Sequence, residues 1–223
     1  MLLKDLIKNP PTQYKQLRIT GLASDSKSVK KGNIFFALRG KKFNGEKFIT
    51  EATKNGASLV ICSKRYIPKK KFKLIKVSNV RNCLINLSAK FYKHKPKNII
   101  AVTGTNGKTS VADYFYQILS LNKMPVASIG TLGVKSKKNI IKTSLTSPDI
   151  ITIHKVLNKL KKNKIDNVII EASSHGLAQN RLDNINYKAG IFTSFSHDHL
   201  DYHKSMKAYF NAKLILFKKL LKK

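Results

Sequence analysis

A chain of 223 residues, 42% hydrophobic and 25% charged, is long enough for one large domain or two small ones with real cores, and its composition excludes disorder over most of its length. Its 44 basic against 11 acidic residues give a formal charge of +33, which draws in anionic ligands such as nucleotides. Arginine stands only at Arg18, Arg39, Arg65, Arg81 and Arg181, so 39 of the basic residues are lysines; they are scattered along the chain without interleaved aromatics, which speaks against a specific nucleic-acid groove.

In chain order, residues 1–20 read as a short helix and a loop, with an apolar run too short for a signal peptide. Asn33–Leu38 (NIFFAL) reads as a strand, 45–56 as a helix, and Ala57–Cys62 and Lys73–Val77 as further strands with Pro68 and lysines between them. Cys62 closes the run Leu59, Val60, Ile61 and reads as a small buried hydrophobe. With Cys83 it has neither metal-ligand spacing nor a disulfide framework. Val80–Tyr92 has helical apolar spacing, and Pro96 marks a hinge, so domains are expected over 1–95 and 96–223.

The second series begins with a strand at Asn98–Val102 and a helix at Lys108–Leu121. Pro125–Ile129 is a strand, Ile150–Lys162 an amphipathic helix, Asn167–Ile170 and Ala189–Thr193 strands, and Ser205–Leu221 a terminal helix. Alternating strands and helices predict α/β layers. Four strands are few for a parallel nucleotide-binding sheet, so the second domain, ending at Lys222 and Lys223, is expected to be incomplete. No stretch is long enough to span a bilayer, and a cytoplasmic protein is expected.

The strongest chemical signal is Val102–Thr109 (VTGTNGKT). A strand ends, glycines let main-chain N–H groups turn inward, and a helix begins; that order makes a nest of donors for phosphates. Lys108 can reach the β- and γ-phosphates and Thr109 can hold Mg²⁺. The usual spacing puts a glycine where Val102 stands, so a strict pattern misses the loop; the competing reading is a glycine-rich turn with a chance Gly-Lys-Thr.

Glu171 ends the apolar strand Val168, Ile169, Ile170, and His197, Asp198 and His199 follow another strand. Ligands of open α/β sheets bind beyond such strand ends, so these groups gather on the edge that carries the phosphate loop. A carboxylate and a histidine there can bind a second metal ion. A cap for Glu171 and a hydrogen-bonded turn for the histidines are the alternatives, and a zinc set of His197, His199 and His203 is a third. Lys213 falls inside an apolar stripe of Met206, Tyr209, Phe210, Phe217 and Leu220. A buried lysine favours its neutral amine, which CO₂ converts to an anionic carbamate; a lysine snorkelling to water is the plainer reading of the periodicity.

The loop Gly104–Thr109 resembles the ATP loop of Mur ligases and of the related folylpolyglutamate synthetases. Glu171–Arg181 (EASSHGLAQNR), Ser196–His203 (SHDHLDYH), the run DSKSV from Asp25, and Gly32–Gly40 (GNIFFALRG) narrow the resemblance to the MurE type, over essentially the whole chain. It implies a small α/β uridine-nucleotide domain, then an incomplete phosphate-loop domain with a parallel sheet, the third domain being absent. It also implies an activity. ATP phosphorylates the terminal carboxylate of UDP-N-acetylmuramoyl-L-alanyl-D-glutamate, and a diamino acid, meso-diaminopimelate or L-lysine, attacks the acyl phosphate.

By the same resemblance, Gly104, Thr105, Asn106, Gly107, Lys108, Thr109 and Ser110 hold ATP, and Lys108, Glu171, His199 and Lys213 serve catalysis. Thr109, Glu171, His199 and Lys213 as carbamate are the implied magnesium ligands. Ser26, Thr146, Ser147, Ser173, Gln179 and Arg181 match positions that hold the UDP-muramoyl dipeptide. Two departures stand out: Thr146-Ser147 replaces a frequent Thr-Thr, and Lys204 stands where glycine is common. A monomer without a specific nucleic-acid partner and without membrane insertion is expected. A folylpolyglutamate synthetase-like ligase and a non-catalytic nucleotide- or nucleic-acid-binding module remain the alternatives.

Overall fold

The computed structural model describes residues 1–40, 44–68, 70–137, 139–141 and 145–221; the lysine pair that ends the sequence lies outside them. The chain divides into two compact units, Met1–Phe91 and Tyr92–Lys223.

In the first unit, α1 (Leu3–Leu6) precedes β1 (Gly21–Ala23), β2 (Asn33–Phe36), α2 (Ile49–Lys54), β3 (Ala57–Ser63), β4 (Leu74–Val77) and α3 (Val80–Phe91). The strands form a parallel sheet in the order β1-β2-β3-β4. A parallel strand is covered on both faces, so its sequence is a continuous apolar run; all four residues of β2 are buried. Phe35, Ile49, Val60 and Cys62 meet in the core, and Cys62 is fully buried, its thiol pushed up to about 11 by burial. The helix expected over 45–56 begins as a 3-10 turn, Gly45–Phe48, because Asn44 caps it by accepting from the Glu46 N–H at 3.0 Å. β1 is three residues long, too short to show a period.

The second unit runs β5 (Asn98–Thr103), α4 (Lys108–Leu121), β6 (Val126–Gly130), β7 (Gly133–Ser136), β8 (Asn139–Ile141), α5 (Ile150–Lys162), β9 (Asn167–Glu171), α6 (Ser174–Ala178), β10 (Ala189–Phe192), α7 (Leu200–His203) and α8 (Met206–Ile215). Its sheet has six strands in the order β10-β5-β9-β6-β7-β8. The first four are parallel, and β7 and β8 add an antiparallel hairpin, so the four strands read from sequence fall two short. β5 and β9 are neighbours, and the chain leaves β5 toward β6 but leaves β9 toward β10, so the two connections run in opposite directions from adjacent carboxyl ends, where ligands of open sheets bind. α5 starts where Asp149 accepts from the N–H groups of Ile151 and Thr152, and it ends on lysines that complement its dipole.

The terminal helix corrects one detail. Its buried face is Tyr209, Ala212, Lys213, Leu216 and Leu220, while Phe210 is 39% exposed. Beyond Ile215 the winding widens to a π turn over Leu216–Leu220, which moves Phe217 off the predicted stripe. Phe210 and Phe217 instead flank Phe192, with ring centroids 6.1 Å away in each case.

Candidate active site

The loop between β5 and α4 is shaped by its glycines and by the segment after β10. Gly104 has φ +151° and Gly107 φ +83°, both in the region that disfavours side chains. A methyl group on Gly104 would lie 1.9 Å from Thr193 Oγ1. The Thr105 N–H donates to the Ser194 carbonyl at 2.8 Å, and the Asn106 N–H donates to Ser194 Oγ at 3.0 Å. Lys108 folds back over the loop, its Nζ donating to the carbonyls of Gly104 and Thr105 at 2.8 Å each. Burial lowers its pKa; Glu171 and Asp198 act in the opposite direction. Ser110 stands exposed in the first turn of α4.

Glu171 closes β9 beside this loop, because β5 and β9 pair in register, Val102 against Glu171. The carboxylate is 2% exposed. Its Oε2 accepts from Thr109 Oγ1 at 2.8 Å and from Thr131 Oγ1 at 3.1 Å, and its Oε1 accepts from the Thr131 N–H at 3.0 Å. It fits because Gly130 has no side chain: a Cβ there would lie 2.0 Å from Oε1. Glu171 is not the cap of α6; Ser173 holds that role, accepting from the Gly176 N–H at 3.1 Å.

His199 and Lys213 both lie against Tyr209, which touches the loop at Thr105. His199 has φ +51° at the start of α7, and its ring centroid lies 4.9 Å from that of His175 and 6.0 Å from that of Tyr209. Its Nε2 is 3.4 Å from Asp198 Oδ2. Lys213 is 1% exposed, so it does not snorkel; its Nζ sits 4.3 Å from the centre of the Tyr209 ring. Burial, then repulsion from Lys108, lowers its pKa to about 8 against the pull of Asp198. Tyr209 is fully buried and its hydroxyl donates to Thr105 Oγ1 at 3.2 Å, tying α8 to the phosphate loop.

Among the described residues, no three of His, Cys, Asp and Glu are grouped as a metal site, so His197, His199 and His203 form no zinc set. The oxygen pair Thr109 Oγ1 and Glu171 Oε2 is a different case. A hydroxyl and a carboxylate 2.8 Å apart beside a phosphate loop suit a hard divalent cation, which takes one or two protein oxygens and completes its shell with phosphates and water.

Five of the six expected substrate positions form one connected network. Ser147 is 1% exposed; its Oγ donates to the Glu171 carbonyl at 2.8 Å and accepts from the Ser173 N–H at 3.0 Å. Arg181 Nη1 donates to the Ser147 carbonyl at 2.9 Å, and its Nε donates to Gln179 Oε1 at 3.0 Å. Gln179 in turn reaches the Tyr202 hydroxyl at 3.1 Å, and Thr146 Oγ1 lies 3.2 Å from Thr131 Oγ1. Ser26 belongs to the first unit, where it is 5% exposed and donates to Glu51 Oε2 at 2.9 Å.

Residues 102–223, more than half of the chain, match the Mur ligase middle domain. The chain belongs to the Mur ligase family. Residues 18–92 match the second description of that family, "Mur ligase family, catalytic domain". The relatives carry the name UDP-N-acetylmuramoyl-L-alanyl-D-glutamate--2,6-diaminopimelate ligase. The one from Brucella melitensis is 41% identical over 96% of this chain and 44% of its own length; the one from Rickettsia prowazekii is 44% identical over 92% and 43%. A solved structure of a ligase of that name superposes with TM-score 0.82 at 30% identity, covering 98% of this chain and 45% of that one. MurF ligase from Thermotoga maritima, at 20% identity and TM-score 0.58, shares the fold. The chain thus spans less than half the length of the relatives it matches.

Thr131, Ser194, His175 and Tyr209 touch the candidate residues Glu171, Asn106, His199 and Thr105, and sequence reasoning passed over them. Thr131 had a usable signal: like Glu171 it stands just at the carboxyl end of a parallel strand. Lys204, where glycine was expected, keeps φ +66° at the end of α7, so the chain holds the left-handed turn without glycine.

Proposed function

We propose that this chain forms the nucleotide- and acceptor-binding part of a MurE-type ligase. In the proposed reaction, ATP activates the terminal carboxylate of UDP-N-acetylmuramoyl-L-alanyl-D-glutamate, and a diamino acid, 2,6-diaminopimelate by the name of the relatives, is joined to it by an amide bond. The observation that carries this reading is the convergence of Lys108, Thr109 and Glu171 at one strand edge, beside the network of Thr146, Ser147, Ser173, Gln179 and Arg181.

In the proposed step a carboxylate oxygen of the acceptor attacks the γ-phosphorus, the bond to the β-phosphate oxygen breaks, and ADP leaves. The amine then attacks the acyl carbon, expels phosphate and loses a proton. Phosphoryl transfer needs positioning and charge neutralisation more than covalent help. Lys108 would leave the loop carbonyls for the β- and γ-phosphate oxygens, and the loop N–H groups would donate to the same oxygens. Thr109 and Glu171 would hold magnesium, which would supply positive charge to offset that of the phosphates. His199 and a carbamate on Lys213 complete the proposed ligand set; formation of the carbamate joins the free amine to CO₂ and releases one proton, and the lowered pKa of Lys213 favours that amine. Arg181 offers its guanidinium to a carboxylate or phosphate of the acceptor; Ser26 is a proposed acceptor contact on the family resemblance alone.

The protein is taken to act in the cytoplasm as a monomer, with no specific nucleic-acid partner; among the described residues no helix is long and apolar enough to cross a membrane. Calorimetric titration with UDP-N-acetylmuramoyl-L-alanyl-D-glutamate and with a folate tests the reading. Saturable binding of the uridine nucleotide supports it, binding of the folate alone points to a folylpolyglutamate synthetase-like ligase, and steep salt-dependent DNA affinity without an effect of ATP points to a nucleic-acid module.

A further inference from the structure

Thr131 touches both halves of the proposed site. Its N–H and hydroxyl hold the two oxygens of Glu171, and the same hydroxyl lies 3.2 Å from Thr146 Oγ1. A threonine hydroxyl has one proton, and a carboxylate only accepts. The Thr131 proton is therefore committed to Glu171, and Thr146 is the donor in its contact with Thr131. The result is a directed chain from Thr146 through Thr131 to Glu171 Oε2, the oxygen that also accepts from Thr109 at 2.8 Å. One end of the chain faces the phosphate loop, and the other is a residue assigned to the acceptor.

We propose that Thr131 is a positioning residue that couples the cation and nucleotide end of the site to the acceptor end. The proposal rests on Glu171 being a ligand of the nucleotide's cation. Were Glu171 to hold the cation, its oxygens would be poorer acceptors for the Thr131 proton, and the hydroxyl would be free to turn that proton toward Thr146 and an anionic carboxylate or phosphate bound there. Each ligand thereby favours the other, and linkage makes the effect reciprocal.

The test titrates a non-hydrolysable ATP analogue with Mg²⁺ into the 223-residue chain, with and without saturating UDP-N-acetylmuramoyl-L-alanyl-D-glutamate. The acceptor is expected to tighten nucleotide binding about fivefold or more. Thr131→Val keeps the N–H and the shape but removes the hydroxyl, and should abolish the coupling; Thr131→Ser should restore it. Thr146→Val cuts the other end of the chain and should abolish it too, which keeps the test open if Thr131→Val folds poorly. Coupling that survives in either valine variant overturns the proposal, as does its absence from a wild-type chain that binds both ligands. A wild-type chain whose nucleotide binding ignores Mg²⁺ removes the Glu171 reading itself, and this proposal with it.

Discussion

Each unit buries a glutamate among polar partners, and the two glutamates are treated differently. In the first unit Glu46, 6% exposed, faces the Arg39 guanidinium at 2.7 Å and accepts from the Ser63 N–H and hydroxyl. A cation of the chain itself answers its charge. In the second unit Glu171, 2% exposed, accepts among the described residues from neutral donors, the hydroxyls of Thr109 and Thr131 and one backbone N–H, while Lys108 acts on it through space and gives its own hydrogen bonds to loop carbonyls. A buried carboxylate is costly unless paired, and a pair supplied from outside makes a binding site. The difference teaches which polar cluster the fold uses for itself and which it keeps for a ligand.

Four outcomes sharpen or break that contrast, in falling order of effect. Glu46→Ala strands Arg39 and Ser63 and should lower the unfolding free energy by about 2–3 kcal/mol, read by denaturant titration, with nucleotide affinity unchanged. Lys108→Ala should do the reverse, weakening nucleotide binding about 10- to 100-fold by calorimetry while costing less stability than the Glu46 change. If Glu46→Ala also abolished nucleotide binding, the division of labour between the two glutamates would be wrong.

The third outcome concerns a buried group that only the fold uses. His154 is fully buried, its Nε2 sits 3.1 Å from the Asp183 carbonyl, and its buried Nδ1 has no hydrogen-bond partner among the described residues. Burial, then Lys95, holds its pKa down near 3, below the ordinary 6.5. Between those values the unfolded chain binds a proton that the folded chain refuses. Stability is therefore full above pH 6.5 and falls by about 1.4 kcal/mol per unit as the pH drops toward 3. His154→Leu should flatten that slope in thermal melts; an unchanged slope would place the acid sensitivity elsewhere. The smallest effect is at Lys204, where φ is +66°. Lys204→Gly should raise stability by about 0.5–1 kcal/mol, the relief of a left-handed side chain less the entropy glycine adds to the unfolded state.

Much of the fold was legible where elements are long and signalled. α4 and α5 begin and end where apolar spacing and caps place them, Gly107 before one and Asp149 before the other. β1, β7, β8, α6 and α7 run only three to five residues, too few for a period to register, and the sheet was undercounted for that reason. The phosphate loop and Glu171 were legible because strand ends in parallel sheets collect ligands. Burial of Lys213 was not legible from periodicity, since the stripe that contained it also permitted an extended lysine reaching water; the family resemblance set that reading aside, and in the structure Lys213 is buried on the same helix face as Tyr209 and Leu216. Thr131 escaped because its partners are 15 and 40 residues away in sequence, Thr146 and Glu171, and sheet order alone brings them together.

The most direct measurement is the affinity of this chain for a non-hydrolysable ATP analogue by calorimetry, with Mg²⁺ and with excess chelator. If Glu171 and Thr109 hold the nucleotide's cation, Mg²⁺ should tighten binding by about tenfold or more, and Glu171→Gln should erase that increment. Equal affinity in both conditions, or an increment that survives Glu171→Gln, would contradict the account.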